Sequence, residues 1–237
     1  MGKSVRKIWA GYVGRMGPTI GQILAPAIGV AISPVPIIAV ILMLFSGAAV
    51  RNSLSFLAGW VLGLLGAGLV ILGIGITADD SGPSTTSGVI KVLIGVLFVA
   101  LGVKQWKSRP ADGEQAQTPG WMAAIDDFSA VKSFGIGVLL SAANPKNLGL
   151  TIAAAATITA GGLSGGDEVI VLVVFVVIAS LTVATPVVLN LVLGERAAPT
   201  LNTMKTWLID NNATVMAVLF VVLGAKVLGD GITILTT

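Results

Sequence analysis

One lysine lies in the middle of a long apolar segment, next to residues that can start a helix. Lys146 follows an Asn-Pro pair and precedes Asn147, 14 residues after Lys132 and 15 residues before Gly161. At about 1.5 Å per residue, this spacing predicts a position near the centre of a bilayer. A lysine there costs about 2.5–3.5 kcal/mol on insertion scales, so an intramembrane charge is first interpreted as functional.

Two proline sites interrupt apolar segments that are otherwise long enough to span a membrane. Ser33-Pro34 is followed by Pro36 in the first segment, and Asn144-Pro145 lies in the fourth. Proline removes an amide donor and clashes with the carbonyl four residues earlier, whereas Ser or Asn followed by proline favours a new helix start. We expect each break to expose a helix N-terminus that attracts negative charge, although a simple proline kink is the alternative.

No Asp or Glu lies within the predicted spans, so the sequence offers Lys146 no intramembrane counter-ion. We therefore expect an anionic group, such as phosphate, sulfate or carboxylate, to bind there. The alternative is that the lysine bonds to carbonyls freed by Pro36 or Pro145, snorkels along a wet crevice or stays neutral. The predicted substrate-binding residues are Ser33, Pro34, Pro36, Asn144, Pro145, Lys146 and Asn147.

Four further residues are weaker candidates for gating or coupling. Asp126 and Asp127 precede the fourth span, and Thr182 and Thr185 lie at an irregularity in the fifth. A solvated acidic face and ordinary hydrogen bonds between helices are the simpler interpretations of these residues.

The composition predicts an integral membrane protein. Of 237 residues, 55% are hydrophobic and 11% are charged, against about 25% charged in soluble domains. The chain has no cysteine and no histidine, which excludes disulfides, thiolate or histidine metal sites and the Ser-His-Asp triad. We expect no enzyme activity and no cofactor. Nucleic-acid binding is not indicated, because the basic residues lie in short connections beside apolar spans.

The apolar runs predict an all-α fold with six transmembrane helices. The predicted spans are Ile20–Phe45, Ser53–Thr77, Ser87–Trp106, Phe134–Ala160, Val169–Leu193 and Asn212–Leu228. They divide the chain into an N-terminal extension (1–19), a first three-helix unit (20–106), a linker with an interfacial helix (107–132) and a second three-helix unit (133–237). The linker comprises a flexible part, Ser108–Gly120, and the interfacial helix, Trp121–Lys132.

The distribution of Lys and Arg predicts the orientation. Basic residues concentrate in the odd-numbered connections, which we expect to be cytoplasmic, with both termini outside. The basic residues near the N-terminus contradict this rule. Two explanations stay open: translation starts at Met16, or the segment is a short basic amphipathic helix.

A short sequence repeat relates the two units. Residues 96–104 and 218–226 share seven of nine positions, including a glycine and a lysine. The breaks in spans one and four also correspond. Because each unit has three spans, the two units would face opposite ways, as in the inverted repeats of secondary transporters.

Several separated motifs resemble one branch of the LysE superfamily of exporters. Residues 32–38, 121–126, 144–148, 193–197 and 224–231 are similar to the GAP branch, the peptidoglycolipid-addressing and sulfolipid-addressing proteins of mycobacteria and relatives. The resemblance implies location in an actinobacterial plasma membrane and a role in moving cell-envelope glycolipids or their precursors outward.

These observations favour a transporter of an anionic envelope lipid, whose partners are the lipid and the membrane. A small-solute exporter of the amino-acid type is the main alternative. A scaffold that recruits envelope-synthesis proteins without transporting anything is another. A homodimer is compatible with the sequence and is not established by it.

Overall fold

The computed structural model describes residues 2–74, 85–109, 125 and 128–236. Every regular element in these residues is helical, which confirms the predicted all-α class. The α-helices are α1 (Gly2–Ala31), α2 (Pro34–Leu44), α3 (Ala49–Ile74), α4 (Thr85–Lys107), α5 (Ala130–Val138), α6 (Pro145–Ala160), α7 (Gly165–Leu193) and α8 (Ala198–Thr236). A π-helical turn, Leu139–Ala143, links α5 towards α6, and a 3₁₀ turn, Gly194–Ala197, links α7 to α8.

The predicted break in the first span is present. α1 ends at Ala31, α2 begins at Pro34, and the two helices are bent by 54°. Ser33 has the extended backbone of an N-cap residue, but its side chain makes no capping hydrogen bond.

The predicted break in the fourth span is also present. The π-helical turn ends at Ala143, and α6 begins at Pro145 after an extended Asn144. Here the capping prediction is confirmed, because the Asn144 side chain accepts a hydrogen bond from the Lys146 amide at 3.0 Å.

The described helices support fewer membrane spans than the sequence predicts. By length and hydropathy, Ala49–Ile74 and the continuous stretch Gly165–Thr236 can cross a membrane, and the bent α1–α2 pair can form a third span. The stretch Gly165–Thr236 holds two helices, which turn at Gly194, a glycine with φ of +57°. The predicted count of six spans is therefore not established by this criterion.

The helix that contains the sixth predicted span is longer than that span. α8 runs without interruption from Ala198 to Thr236, whereas the sequence suggested a connection up to Asn211. The polar residues between 202 and 212 do not end the helix, since Lys is a good helix former and Asn and Asp are only moderately unfavourable in a helix interior. The one proline, Pro199, lies in the first turn.

Glycines let α3 and α5 pack at very short range. A Cβ atom on Gly59 would lie 2.1 Å from the Phe134 carbonyl oxygen, and one on Gly137 would lie 2.3 Å from that of Phe56. Further along α3, Gly63 faces the Ser141 hydroxyl in the π-helical turn. Residue numbers rise together along both helices, so α3 and α5 run parallel and α3 supports the second break.

α1 and α7 form a second parallel pair. Arg15 and Asp167 form an ion pair at 3.6 Å near one end, and the Thr182 hydroxyl bonds to the Ala31 carbonyl near the other. The core between these pairs is filled by large apolar side chains, including Trp60, Phe56 and Phe175.

α4 and α8 pack in antiparallel fashion along a glycine seam. A Cβ atom on Gly224 would lie 2.9 Å from the Gly95 carbonyl oxygen, and one on Gly102 would lie 3.1 Å from that of Ala217. Small residues at a helix interface let two backbones approach closely, as is common in membrane proteins.

Candidate functional site

Lys146 joins the two breaks. Its side chain donates to the Gly29 carbonyl at 2.9 Å and to the Ser33 hydroxyl at 2.5 Å, both on the other broken segment. The residue is only 7% exposed, and among the described residues it forms no ion pair. Two of its three N–H donors therefore have neutral partners, and its charge is balanced by no carboxylate in the described part of the chain.

The break in the first segment explains why these acceptors are available. In a continuous helix the Gly29 carbonyl would accept from the amide of Ser33, but that amide donates to Ala31 instead. The Val30 carbonyl would accept from residue 34, which is a proline and has no amide. The Ser33 hydroxyl lies 2.7 Å from the Val30 oxygen. The freed carbonyl of Gly29 thus accepts from Lys146, and that of Val30 has the Ser33 hydroxyl within hydrogen-bond distance.

Asn147 repairs the second break in a similar way. Its Nδ2 donates to the Leu140 carbonyl at 2.8 Å. In a π-helical turn that carbonyl would accept from the amide five residues later, which Pro145 lacks. Asn147 Oδ1 lies 3.2 Å from the Ser33 hydroxyl oxygen, so this fully buried amide also connects the two breaks. The Ser33 hydroxyl has one proton and can donate either to Asn147 or to the Val30 carbonyl.

The prolines shape the site without supplying polar groups. Pro34 and Pro36 are buried in the first turn of α2, and Pro145 is exposed at the start of α6. The alternative in which Lys146 binds a freed carbonyl is thus supported in part. The acceptor is a carbonyl of the first break, however, and not one freed by Pro36 or Pro145.

The two threonine candidates differ. Thr182 belongs to the site, because its hydroxyl donates to the Ala31 carbonyl at 2.6 Å, at the end of α1. Thr185 is exposed and bonds within its own helix, to the Leu181 carbonyl at 2.7 Å. Asp126 and Asp127 lie outside the described residues.

Beside the first break lies an apolar cleft of about 400 Å³, which is within the usual range for small-molecule sites. We call it the α2–α7–α8 cleft. It is lined by Ile37, Thr182, Thr185, Thr203, Met204, Trp207 and Leu208. Thr182 lines the cleft and also donates to the Ala31 carbonyl at the break, so the cleft lies directly beside the polar residues of the break.

Sequence reasoning missed Gly29 and the link through Thr182. The proline rule could have identified the freed carbonyls near residue 30, because proline leaves acceptors unpaired about one turn earlier. The side chains that reach these carbonyls lie 117 and 151 residues away. Which ones do so depends on helix packing, for which a single sequence carries no comparable signal.

The chemistry of this site suits an anion better than a cation. A buried ammonium group, serine and asparagine side chains and a helix start all favour negative charge. In the described residues no group of acidic or other ligand side chains is arranged to hold a metal ion.

Comparison with known proteins agrees with the motifs. Residues 23–233 match the family described as Sap, sulfolipid-1-addressing protein. No curated protein and no solved structure matches the chain. The match covers most of the chain, including both breaks and the cleft, and it confirms the resemblance to sulfolipid-addressing proteins. This chain therefore belongs to the sulfolipid-1-addressing protein family.

Proposed function

We propose that this protein is a membrane transporter that moves an anionic cell-envelope lipid, or a precursor of one, across the plasma membrane of an actinobacterium. The observation that carries the proposal is Lys146, a buried lysine that bridges two helix breaks and has no ion-pair partner among the described residues. Membership of a family named for sulfolipid addressing agrees with a lipid substrate.

The hydrogen bonds of Lys146 suit a transient site. An anionic head group would add the attraction between opposite charges to its hydrogen bond with the ammonium, so it can compete with the neutral Gly29 and Ser33 acceptors. When the anion leaves, the lysine returns to these acceptors and the break is satisfied again. The buried charge therefore always has hydrogen-bond partners, whether the substrate is bound or absent.

We also propose that the chain is an inverted repeat of two three-span units within the LysE superfamily. A shift of 122 residues relates the two repeated segments, and it converts the Gly95–Gly224 contact into the contact between Ala217 and Gly102. The same shift relates Phe98 to Phe220, whose rings meet edge to face at 5.8 Å. Contacts that exchange in this way are expected around a local two-fold axis.

The helix directions support the six-span topology within this proposal. α1 runs parallel to α7 and α3 parallel to α5, while α4 and α8 are antiparallel. A chain that crosses the membrane six times, with α1–α2 and α5–α6 each forming one broken span, produces these directions. The helix directions fit either orientation, and the distribution of Lys and Arg is what would place the odd-numbered connections in the cytoplasm and both termini outside.

The remaining expectations belong to the same proposal. We expect the chain to act without catalysis and without a cofactor, and to draw energy from a gradient or a partner. A homodimer and contacts with envelope-synthesis proteins are compatible with it.

A direct test measures lipid translocation and lipid binding together. The protein is reconstituted in vesicles that carry fluorescent phosphatidylglycerol, and movement between leaflets is followed by dithionite quenching. Native mass spectrometry compares binding of phosphatidylglycerol and phosphatidylcholine. The variants are Lys146→Ala, Lys146→Met, which keeps the apolar stem, and Lys226→Ala, which removes an exposed lysine paired with Asp230.

We expect wild type and Lys226→Ala to translocate the probe and to prefer the anionic lipid. Both Lys146 variants should lose this preference by at least about tenfold, since the lost bond involves a charged donor. Translocation that is equal in all four proteins would contradict the proposed site. A complete lack of translocation in wild type, with normal complementation of a deletion strain by both Lys146 variants, would favour a scaffold.

A further inference from the structure

We propose that the α2–α7–α8 cleft binds an acyl chain of a lipid whose anionic head group lies at the helix breaks. This inference rests on the proposed function and adds a second binding site to it, with a defined ligand class. It is carried by the chemistry of the cleft wall and by the continuity between the cleft and the break.

The cleft wall is apolar although three of its residues are threonines. Each of these hydroxyls donates to a backbone carbonyl: Thr182 to Ala31 at 2.6 Å, Thr185 to Leu181 at 2.7 Å and Thr203 to Pro199 at 3.0 Å. Their hydrogen-bonding capacity is therefore largely used within the protein. A sugar or an amino acid would find few polar partners in the cleft, whereas a hydrocarbon chain needs none.

The position of the cleft connects it to the head-group site. Ile37 lies in the first turn of α2, directly after the break, and Thr182 contacts the last carbonyl of α1. Lys146 donates to Gly29, two residues before that carbonyl. A single lipid could thus place its charge at the lysine and its chain along the wall formed by α8.

The surroundings of the cleft suit a lipid of the inner leaflet. Trp207 at the cleft is 55% exposed, and tryptophan favours the membrane–water interface. Lys205, on the same turn of α8, lies with its Nζ 5.3 Å from the ring centroid of Phe45. Under the proposed topology this part of α8 is on the cytoplasmic side, where basic residues attract anionic lipids. The cleft then leads from this interface to the break, so a lipid whose head group has moved from the interface to Lys146 would have its acyl chain in the cleft.

The test uses a phosphatidylglycerol probe with a photoactivatable diazirine in its acyl chain. After irradiation of the purified full-length protein in detergent, cross-linked peptides are identified by mass spectrometry. Thr203→Trp fills the cleft from α8 and Thr185→Trp fills it from α7, so the result does not depend on one variant. Thr206→Trp is the matched control, because Thr206 is exposed on the same helix and does not line the cleft.

We expect wild type and Thr206→Trp to be cross-linked mainly in the peptide that contains Met204, Trp207 and Leu208. Both cleft-filling variants should reduce this cross-linking at least about fivefold. We expect a reduction in cross-linking and not a complete loss, because the acyl chain exchanges the apolar cleft for apolar detergent. Packing in the cleft therefore contributes more to binding than the hydrophobic effect does. Cross-links spread evenly over the exposed apolar helices, and equal in all four proteins, would overturn the inference.

A short-chain probe separates this inference from the proposed function. Dihexanoyl phosphatidylglycerol presents the same head group with chains too short to fill the cleft, so its binding should depend on Lys146 and not on Thr203. Loss of short-chain binding in Lys146→Ala, without cleft cross-linking in wild type, would leave the head-group site standing and overturn the acyl site. Cleft cross-linking with no effect of Lys146→Ala on either probe would overturn the head-group site, and with it the joint site inferred here.

Discussion

Replacing Gly59 by alanine tests the parallel packing of α3 against α5, which supports the second helix break. The new Cβ atom would lie 2.1 Å from the Phe134 carbonyl oxygen and 2.9 Å from the carbonyl carbon. Both atoms are backbone, so no side-chain rotation can relieve the contact. The helices must separate by at least 0.9 Å to reach the 3.0 Å limit that real Cβ contacts respect.

The size of the effect follows from two opposing terms. Overpacking a tight interface costs about 1–3 kcal/mol, while exchanging glycine for alanine inside a helix gains about 0.8–1 kcal/mol. Gly66 provides the matched control, because it lies on the same helix and an added Cβ atom meets nothing within 4 Å. Gly66→Ala should therefore show only the gain in stability from helix propensity. The difference in stability between the two variants then measures the cost of the clash at Gly59.

Thermal unfolding in mild detergent, followed by size-exclusion chromatography of the heated samples, measures this difference. We expect Gly59→Ala to unfold roughly 2–12 °C below Gly66→Ala, because 1 kcal/mol corresponds to about 2–4 °C in a chain of this size. Equal midpoints for the two variants would refute the packing described here. A midpoint of Gly59→Ala above wild type would show that the helices separate at almost no cost.

Three further predictions concern single contacts, each measured by the same thermal assay. Asn144→Ala should lower stability by about 1 kcal/mol through loss of the N-cap bond, whereas Asn144→Ser should retain most of it; equal losses would argue against capping. Thr182→Val should cost about 0.5–1.5 kcal/mol because it removes a bond to the end of α1, while Thr185→Val, on an exposed face, should stay within about 0.5 kcal/mol of wild type. Gly224→Ala should destabilise α8 against α4 by about 1–3 kcal/mol, and Gly229→Ala, which meets open space, should not; the reverse order would contradict the antiparallel seam.

The breaks could be predicted from sequence because their causes are local. Pro34 and Pro145 lack amide donors in any fold of the chain, and each follows a residue that favours a helix start. Of these two residues, only Asn144 caps its helix with its side chain. The Ser33 hydroxyl instead contacts the freed Val30 carbonyl and accepts a hydrogen bond from the Lys146 ammonium.

The partners of Lys146 could not be predicted, because they depend on packing between distant segments. The absence of acidic residues from the predicted spans indicated an unusual lysine, and the structure agrees that the described residues give it no ion pair. The carbonyl that receives it belongs to Gly29, a residue with no side chain to signal a role. The length of α8 was also missed, since its polar N-terminal part resembles a connection unless its packing against the rest of the chain is known.

The seam between α4 and α8 has a consequence for how the chain is made. Gly102 and Ala217 are neighbours in space but are separated by 115 positions, and Gly88 and Gly231 by 143. At about 5–20 residues per second, roughly 6–30 s pass between synthesis of the two sides of this seam. During that interval α8 is not available to the glycine face of α4, so this face must be covered by lipid, the insertion machinery or another part of the chain. A helix from the second predicted unit, α8, is therefore needed to cover α4 in the first.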